Sequence, residues 1–535
     1  MTPAHRILVS VLIAAVLLGC TPTRVGDRVP LRVPSRWQNA AGARPVSDRA
    51  SLADWWKGFE DPMLNDLVVR ALAANHDLRI AAARVREAKA LAVVAESALY
   101  PSLDLFGSGG REKRIDRIIA IPGRQGIELV TPTADAVTGG LGARWEIDLF
   151  GGRHLEAEAA AAQIQGSEEA RNGVRVGLLA QVATNYLELR GVQERTDILR
   201  ENIELQRERL RALRAFQRAG LANEGDIARQ ETLLHGTEGS LPVLRNAAKT
   251  LIHRLGVLLG EPPEDLEARL APSMPLPVAL PSIPKRLPSS LLAQRPDLRL
   301  AQAQVSAAAA SLGAARADLF PKLVLSASGG FGALAVGGFP SLAEGVYALG
   351  SGLTAPLFNA GRIRAHIAAA DARLDQAAAN YEKTFLLALE DVENAYVAYT
   401  SSMERRDRLS QTEAAAEKAY RLTEALHRLG ASDYLSMLDA QRSKLAASDE
   451  RAQAATAVRV SLISLYRAFG GGWTAEPAVK RADSGEGSRL PAENFKAAVT
   501  SVVKLSSPRQ RHAMPYAGRT AFSLAAESFT PRTGF

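Results

Sequence analysis

The sequence predicts an α+β membrane protein in which very long helices are joined to short strands, with the whole pattern made twice. Three observations predict it. First, motifs recur in order: His76-Asp77-Leu78-Arg79-Ile80 returns as Pro296-Asp297-Leu298-Arg299-Leu300, Tyr100-Pro101-Ser102-Leu103 as Phe320-Pro321-Lys322-Leu323, and Leu149-Phe150-Gly151-Gly152-Arg153 as Leu357-Phe358-Asn359-Ala360-Gly361-Arg362. The offset stays near about 210 to 220 residues, as an internal duplication in two copies requires. Second, no proline falls between Pro132 and Pro242 or between Pro356 and Pro477, so long helices can run there unbroken. Third, runs of roughly ten residues with a period of two lie between the helical patterns.

The first element is an export signal. Arg6 precedes an apolar run from Ile7 to Leu18 that is too short for a bilayer span of about 20 residues and fits the apolar region of a signal peptide. Cys20 is the single cysteine in 535 residues, so an intramolecular disulfide is excluded. Leu17-Leu18-Gly19-Cys20 resembles a bacterial lipobox, which implies that Cys20 becomes the acylated N-terminus; two or more acyl chains would anchor the protein stably. Thr21 stands after the cysteine where Asp would signal retention at the inner membrane.

Helices are expected from Leu67 to Leu99 and from Ser289 to Leu319, and longer ones from Arg153 to Ala219 and from Arg362 to Leu429. At 1.5 Å per residue the long pair would each extend about 100 Å. Their apolar spacing agrees between copies, Leu179, Val182, Tyr186, Leu189 against Leu389, Val392, Tyr396, Tyr399, a packing seam of coiled-coil type. Each ends at a glycine, Gly220 or Gly430, where a helix terminus favours positive φ. Return helices follow from Asp226 to Gly260 and from Asp433 to Gly470, about half as long, so two half-length helices stacked end to end match one long one.

Four strands are expected: Pro101 to Gly110, Leu141 to Leu149, Leu323 to Phe331 and Val346 to Phe358. Leu141, Ala143, Trp145, Ile147 and Leu149 alternate with Gly142, Arg144, Glu146 and Asp148, the pattern of a water-filled membrane barrel, apolar out and polar in; a soluble hairpin packed on a core would alternate alike, and the signal peptide, lipobox and stacked helices favour the barrel. Arg144, Glu146 and Asp148 are the candidate lumen residues. A sheet in hydrocarbon must close, and four strands cannot, so several chains must share one barrel. A dimer would supply about eight strands around a filled interior and a trimer about twelve with room for water; inward polar side chains favour the wider option.

The domain order is then a signal peptide at 1–19, a lipidated N-terminal segment at 20–65, a first repeat at 66–260, a Pro-rich linker at 261–288, a second repeat at 289–473 and a tail at 474–535, read as disordered with no chemistry assigned. The net charge of +8 is interleaved with acidic residues along the helices, and no clustered basic stripe supports nucleic-acid binding. The eight histidines are scattered singly, and no Ser/His/Asp arrangement, metal-ligand pair or phosphate-binding glycine loop stands out, so neither an enzyme nor a cofactor or metal other than the lipid on Cys20 is expected.

From about Cys20 to Trp473 the chain resembles the TolC-type outer-membrane channels, most closely the NodT-like or OprM-like lipoprotein branch. Trp55-Trp56-Lys57-Gly58-Phe59 with Asp61-Pro62-Met63-Leu64, Gln294-Arg295-Pro296-Asp297-Leu298-Arg299, Phe320-Pro321, Leu357-Phe358-Asn359-Ala360-Gly361-Arg362 and Gly470-Gly471-Gly472-Trp473 carry the resemblance by their order and spacing. It implies a homotrimer whose transmembrane β-barrel continues into a long α-helical barrel, the periplasmic tunnel. It also implies the passive exit duct of a tripartite exporter of small molecules, working with a periplasmic membrane-fusion adaptor and an inner-membrane pump of the resistance-nodulation-division type. By resemblance, Gly220 and Gly430 lie at the helix tips where the adaptor docks, Asp439 lines the closed mouth, and Asp226 helps to hold it shut. Three Asp439 carboxylates in a ring would attract cations. Ser436 stands where some members carry a second ring Asp, and His427 and Ser432 where some carry the Tyr and Arg that tie helices together, so the gate is expected to use other contacts. A duct for type I protein secretion, and a pore-less lipoprotein scaffold of paired coiled coils, are the alternatives; the lipobox disfavours the first.

Overall fold

The computed structural model describes residues 31–42, 46–47, 51–113, 118–119, 128–129, 133–220, 222–336, 339–340 and 344–474. The signal peptide, Cys20 and the tail from residue 475 onward lie outside the described residues. The first repeat comprises α1 (Pro62–Ala74), α2 (His76–Ser97), β1 (Ser102–Lys113), β2 (Thr133–Ile147), α3 (Gly152–Arg218) and α4 (Glu224–Leu259). The second comprises α5 (Pro296–Ala317), β3 (Lys322–Val336), β4 (Glu344–Thr354), α6 (Arg362–Arg428) and α7 (Tyr434–Ala468).

The helices expected from Leu67 to Leu99 and from Ser289 to Leu319 are each broken, at equivalent places. Asn75 leaves the helical region, its Oδ1 accepting from the Leu78 amide at 3.0 Å to cap α2. In the second copy Pro296 forces Arg295 into extended backbone after the one-turn helix Leu291–Gln294. His76-Asp77-Leu78-Arg79 and its copy are thus helix starts. Each break receives the end of a return helix. Asn75 Nδ2 donates to the Leu258 carbonyl at 2.9 Å, and Arg295 Nη1 to the Ala468 carbonyl at 2.8 Å. These carbonyls belong to the last turns of α4 and α7, where no helical N–H lies further along to donate to them. Gly260 and Gly470 follow, both with positive φ, and a Cβ on Gly260 would fall 2.7 Å from the Ala74 carbonyl oxygen. Two half-length helices therefore meet end to end beside one long helix. The second joint is ionic: Arg295 also donates to Asp297 at 2.7 Å and to Asp391 of α6 at 3.0 Å.

α3 and α6 each contain 67 residues, about 100 Å of helix. Leu179, Val182, Tyr186, Leu189, Val392, Tyr396 and Tyr399 of the expected seam are all buried, and Leu389 packs against them. They form the main core at mid-length, closed by the N-terminal motif: Trp55 stacks on Tyr466 with ring centroids 5.2 Å apart, and Trp56 and Phe59 are buried beside it. Asp61 explains its own place in that motif. One carboxylate oxygen caps α1 through the amides of Met63 and Leu64, at 2.8 and 3.0 Å, and the other accepts from Tyr186 Oη at 2.6 Å. The Pro-rich linker is short of N–H donors, and its carbonyls are met by side chains instead. Arg190 donates to the Pro272 carbonyl, Arg459 to that of Pro277 and Trp37 Nε1 to that of Arg286.

The four long strands pair antiparallel in the order β1-β2-β3-β4, leaving β1 and β4 at the edges. They run 12, 15, 15 and 11 residues; β4 starts two residues earlier than expected, at Glu344, and stops at Thr354 instead of Phe358, whereas the first three are longer than the alternation suggests. The reason is glycine: Gly139, Gly140, Gly142, Gly329, Gly330 and Gly332 pair normally but show no side chain to alternate. Directly opposed residues share a face. The registers Leu105↔Leu141, Ala143↔Ala327, Gly139↔Phe331 and Gly329↔Tyr347 thus put the odd-numbered residues of all four strands on one side. On it Leu103, Leu105, Val137, Leu141, Trp145, Phe331, Tyr347, Leu349 and Leu353 are exposed, a continuous apolar band that suits hydrocarbon. The other face carries Asp104, Ser108, Thr138, Arg144, Ser326 and Ser328. Toward the end remote from the helices the apolar face closes on Arg111 and Asp135, paired through two hydrogen bonds of 2.6 and 2.9 Å. No described helix is long and apolar enough to cross a membrane.

Candidate functional site

Two places position the residues singled out in the sequence: the junction of sheet and helices, and the helix tips at the opposite end of α3 and α6. At the junction, only Arg144 stands exposed within the sheet. Glu146 lies in β2 on the same face but is engaged by Arg153 of α3, Nε and Nη2 donating at 3.3 and 3.1 Å. Asp148 falls beyond the end of β2, where its Oδ2 accepts from the His154 amide at 2.8 Å and lies 2.6 Å from His154 Nδ1. Alternation treats every side chain as lining a face. Here the chain turns into α3 straight after the strand, and the two carboxylates fix that turn instead of standing free. The equivalent stacking of Phe150 on Phe320, with centroids 4.7 Å apart, holds the two repeats together at the same level.

At the tips the same turn is built twice. Gly220 and Gly430 adopt positive φ (72° and 73°), their amides donating to Gln217 O and His427 O at 2.9 and 3.0 Å. Three residues beyond each glycine an Asx side chain caps the return helix, Asn223 for α4 at 2.9 Å from the Asp226 amide and Asp433 for α7 at 2.8 Å from the Ser436 amide. A hydrogen bond to Ser436 holds the Asp433 carboxyl below its ordinary range. Phe216, Leu422, Leu426, Leu429 and Leu435 are exposed around these turns. Asp226 lies in the first turn of α4, where the helix dipole favours it, and accepts from Arg229 of the same helix at 2.9 Å. Asp439 projects from α7 with its side chain 79% exposed and Arg442 Nη1 3.9 Å away. Among the described residues, the side-chain partners of both aspartates are on their own helices.

The contacts that do join the two hairpins come from residues the sequence reading passed over. Arg209 of α3, with its side chain 13% exposed, donates to Gln441 of α7 at 2.5 Å, to Glu424 of α6 at 2.9 Å and to the Tyr420 hydroxyl. Tyr434 Oη of α7 donates to Gln230 of α4 at 2.7 Å, and Gln230 Nε2 to the Gln206 carbonyl of α3 at 3.1 Å. Burial pushes the Tyr434 phenol up to about 12, so it stays a donor. Higher up, Arg195 pairs with Asp449 (2.6 Å), and Arg451 bridges Glu194 (2.7 Å) and Glu413 (3.1 Å). His427, at a position where some family members carry a Tyr that ties helices, stays local, its Nδ1 3.0 Å from the Ser432 carbonyl. Gln206, Gln230 and Gln441 are all buried, at positions of the seam that Ile203, Leu210, Ile227, Leu234 and Leu438 otherwise fill. A buried polar residue at an apolar seam position was the available signal. Such a layer gives register at some cost in stability.

Residues 67–261 and 287–471 match the family model of the outer membrane efflux protein. The chain is 34% identical over 471 residues to the pyoverdine export outer membrane protein OpmQ of Pseudomonas aeruginosa, covering 87% of this chain and 97% of that protein. It is 29% identical over 473 residues to the antibiotic efflux pump outer membrane protein ArpC of Pseudomonas putida, covering 87% and 96%. Among solved structures, the outer-membrane channel OprN superposes with a TM-score of 0.75 at 32% identity, covering 85% of this chain and 99% of that one. The open-state MtrE outer membrane channel of Neisseria gonorrhoeae gives 0.70 at 27% identity, covering 84% and 97%. With its apolar-banded sheet, its paired long helices and this match over both repeats, the chain belongs to the outer membrane efflux protein family.

Proposed function

We propose that three copies of this chain form the passive outer-membrane exit duct of a tripartite efflux system for small molecules. The observation that carries the reading is a sheet with one apolar face and two open edges, set at the end of helices about 100 Å long. An open edge in hydrocarbon leaves backbone groups unpaired, and β4 of one copy against β1 of the next removes every edge when the ring closes. Three copies of four strands give a barrel wide enough for water, which the serines, glycines and Arg144 on its inner face suit. The helices continue as a tunnel into the periplasm, and its mouth is the tip where Gly220 and Gly430 turn the chain. Exposed apolar residues there, Leu426 and Leu429 among them, support docking of a periplasmic adaptor, itself joined to an inner-membrane pump of the resistance-nodulation-division type. Asp439 lines the mouth as an acidic ring, and the ties through Arg209 and Tyr434 hold it closed. Acyl chains on Cys20 add an anchor to the outer membrane.

Two measurements on the purified protein test this. Its mass in detergent is expected to be three times that of the processed chain, and planar bilayers are expected to show discrete, cation-selective openings. A monomer that inserts and never conducts, even with Arg209 replaced, would overturn the duct. The mass of the N-terminal peptide is expected to exceed its sequence value by the lipid on Cys20; an unmodified thiol would remove the anchor from the proposal.

A further inference from the structure

The inner face of the sheet carries small, hydroxyl-bearing and charged residues, the aliphatic Val324 and Val346, and one aromatic. Phe106 of β1 is even-numbered, hence on the face opposite the apolar band, and is 43% exposed. It is the one aromatic on that face among the described residues of the four strands. Its cross-strand rung reads Phe106↔Gly140↔Gly330↔Val346. The next rung toward the helices reads Asp104↔Gly142↔Ser328↔Ala348, and the next outward Ser108↔Thr138↔Gly332↔Glu344. Gly140 and Gly330 are not replaceable spacers. A Cβ on Gly140 would lie 2.5 Å from the Gly329 carbonyl oxygen, and one on Gly330 would lie 2.3 Å from that of Gly139, so the two backbones press together and the surface there is bare. The Phe106 ring leans over Gly142, whose Cβ position is 3.6 Å from Cδ1. Covering a glycine backbone in this way is a known device for steadying a strand. It uses one side of the ring; the exposed remainder stands over a floor of glycine, serine and alanine.

We infer that Phe106 forms an apolar ring inside the barrel that makes passing contact with the aromatic face of cargo. The inference rests on the trimeric duct proposed above, because threefold symmetry is what brings three Phe106 side chains to one height around the pore. A benzene ring offers a π face to planar groups and to organic cations, which no hydroxyl or glycine on the surrounding wall can do. With only apolar Val346 for company on its rung, the contact would be weak and short-lived, as a duct that must release what it carries requires.

The test is current block in planar bilayers, in the wild-type and in the Arg209→Ala channel, so that the mouth does not hide the barrel. The probes are tetraphenylphosphonium, an apolar cation with rings, and tetrabutylammonium, one without. Phe106→Ala and Phe106→Leu are expected to weaken block by tetraphenylphosphonium about three- to tenfold, with tetrabutylammonium little changed and Phe106→Trp retaining the wild-type value. Leu keeps a cover over Gly142, so a purely structural role predicts wild-type block in Phe106→Leu, and that result overturns the inference, as does unchanged block in Phe106→Ala. Channels that conduct with unaltered block sink the Phe106 ring alone. Silence from both the wild-type and the Arg209→Ala protein sinks the duct and the ring together.

Discussion

Replacing Arg209 by Ala should unlatch the mouth without unfolding the protein. The guanidinium reaches Gln441 at 2.5 Å, Glu424 at 2.9 Å and the Tyr420 hydroxyl, from a side chain that is 13% exposed. A hydrogen bond involving a charged group contributes about 1.5–3 kcal/mol net, less where water can compete. Removing Arg209 does not strand Glu424, which still accepts from Tyr420 Oη at 3.1 Å and lies 3.4 Å from Arg428. It does strand Gln441, a buried amide whose Nε2 already lacks a partner. We therefore expect a loss of about 2–3 kcal/mol per chain from the closed form, or roughly 30- to 150-fold in the closed-to-open ratio. The main core at mid-length lies elsewhere on the helices and does not include Arg209, so the melting temperature should barely move. Single-channel recording reads the effect as open probability, and Arg209→Lys, which keeps the charge without the fork, should fall between. An Arg209→Ala protein that is folded, assembled and no more open than wild type would refute this account of the closure.

Three further outcomes follow from the same geometry. Asp439→Asn should shift the reversal potential in a salt gradient toward lower cation preference while changing stability by less than about 0.5 kcal/mol, since the side chain is 79% exposed; unchanged selectivity would remove it from the pore wall. Hydrogen bonding to Lys444 at 2.7 Å, then to Arg421, holds the Glu417 carboxyl below its ordinary 4.5, so this link between α6 and α7 is complete above that pH and is lost as pH falls through the lowered value. Open probability should then rise as pH falls from about 5 to about 3, and the Glu417→Gln channel should lack that part of the rise. Gly260→Ala places a Cβ 2.7 Å from the Ala74 carbonyl at φ 70°, and should cost about 2–3 kcal/mol in the joint between α4 and α2; a melting temperature equal to wild type would show that the joint yields.

The sequence by itself determined the features that repeat over short distances. Period-3.6 spacing with a terminal glycine placed both long helices within a residue or two of their observed ends, and the seam residues were named correctly in both copies. Period-two spacing assigned the faces of β2 correctly, because the alternation is a property of one strand read alone. Where glycine removed the side chains, as along Gly139, Gly140 and Gly142, the pattern fell silent and the start of β2 was missed. The tertiary structure decided what depends on partners far away in the chain. Asn75 became a helix break because the end of α4, 183 residues on, needed its amide. Glu146, on the polar face of β2, and Asp148, just beyond the strand, are engaged because the first turn of α3 reaches them. Arg209 became a tie between the two hairpins because Tyr420, Glu424 and Gln441, between 211 and 232 residues later, converge on it. Periodicity records which side of an element is buried, but it carries no account of which polar groups must pair once that side is covered. Burial makes an unpaired donor or acceptor costly, so those pairings are settled only when the helices come together.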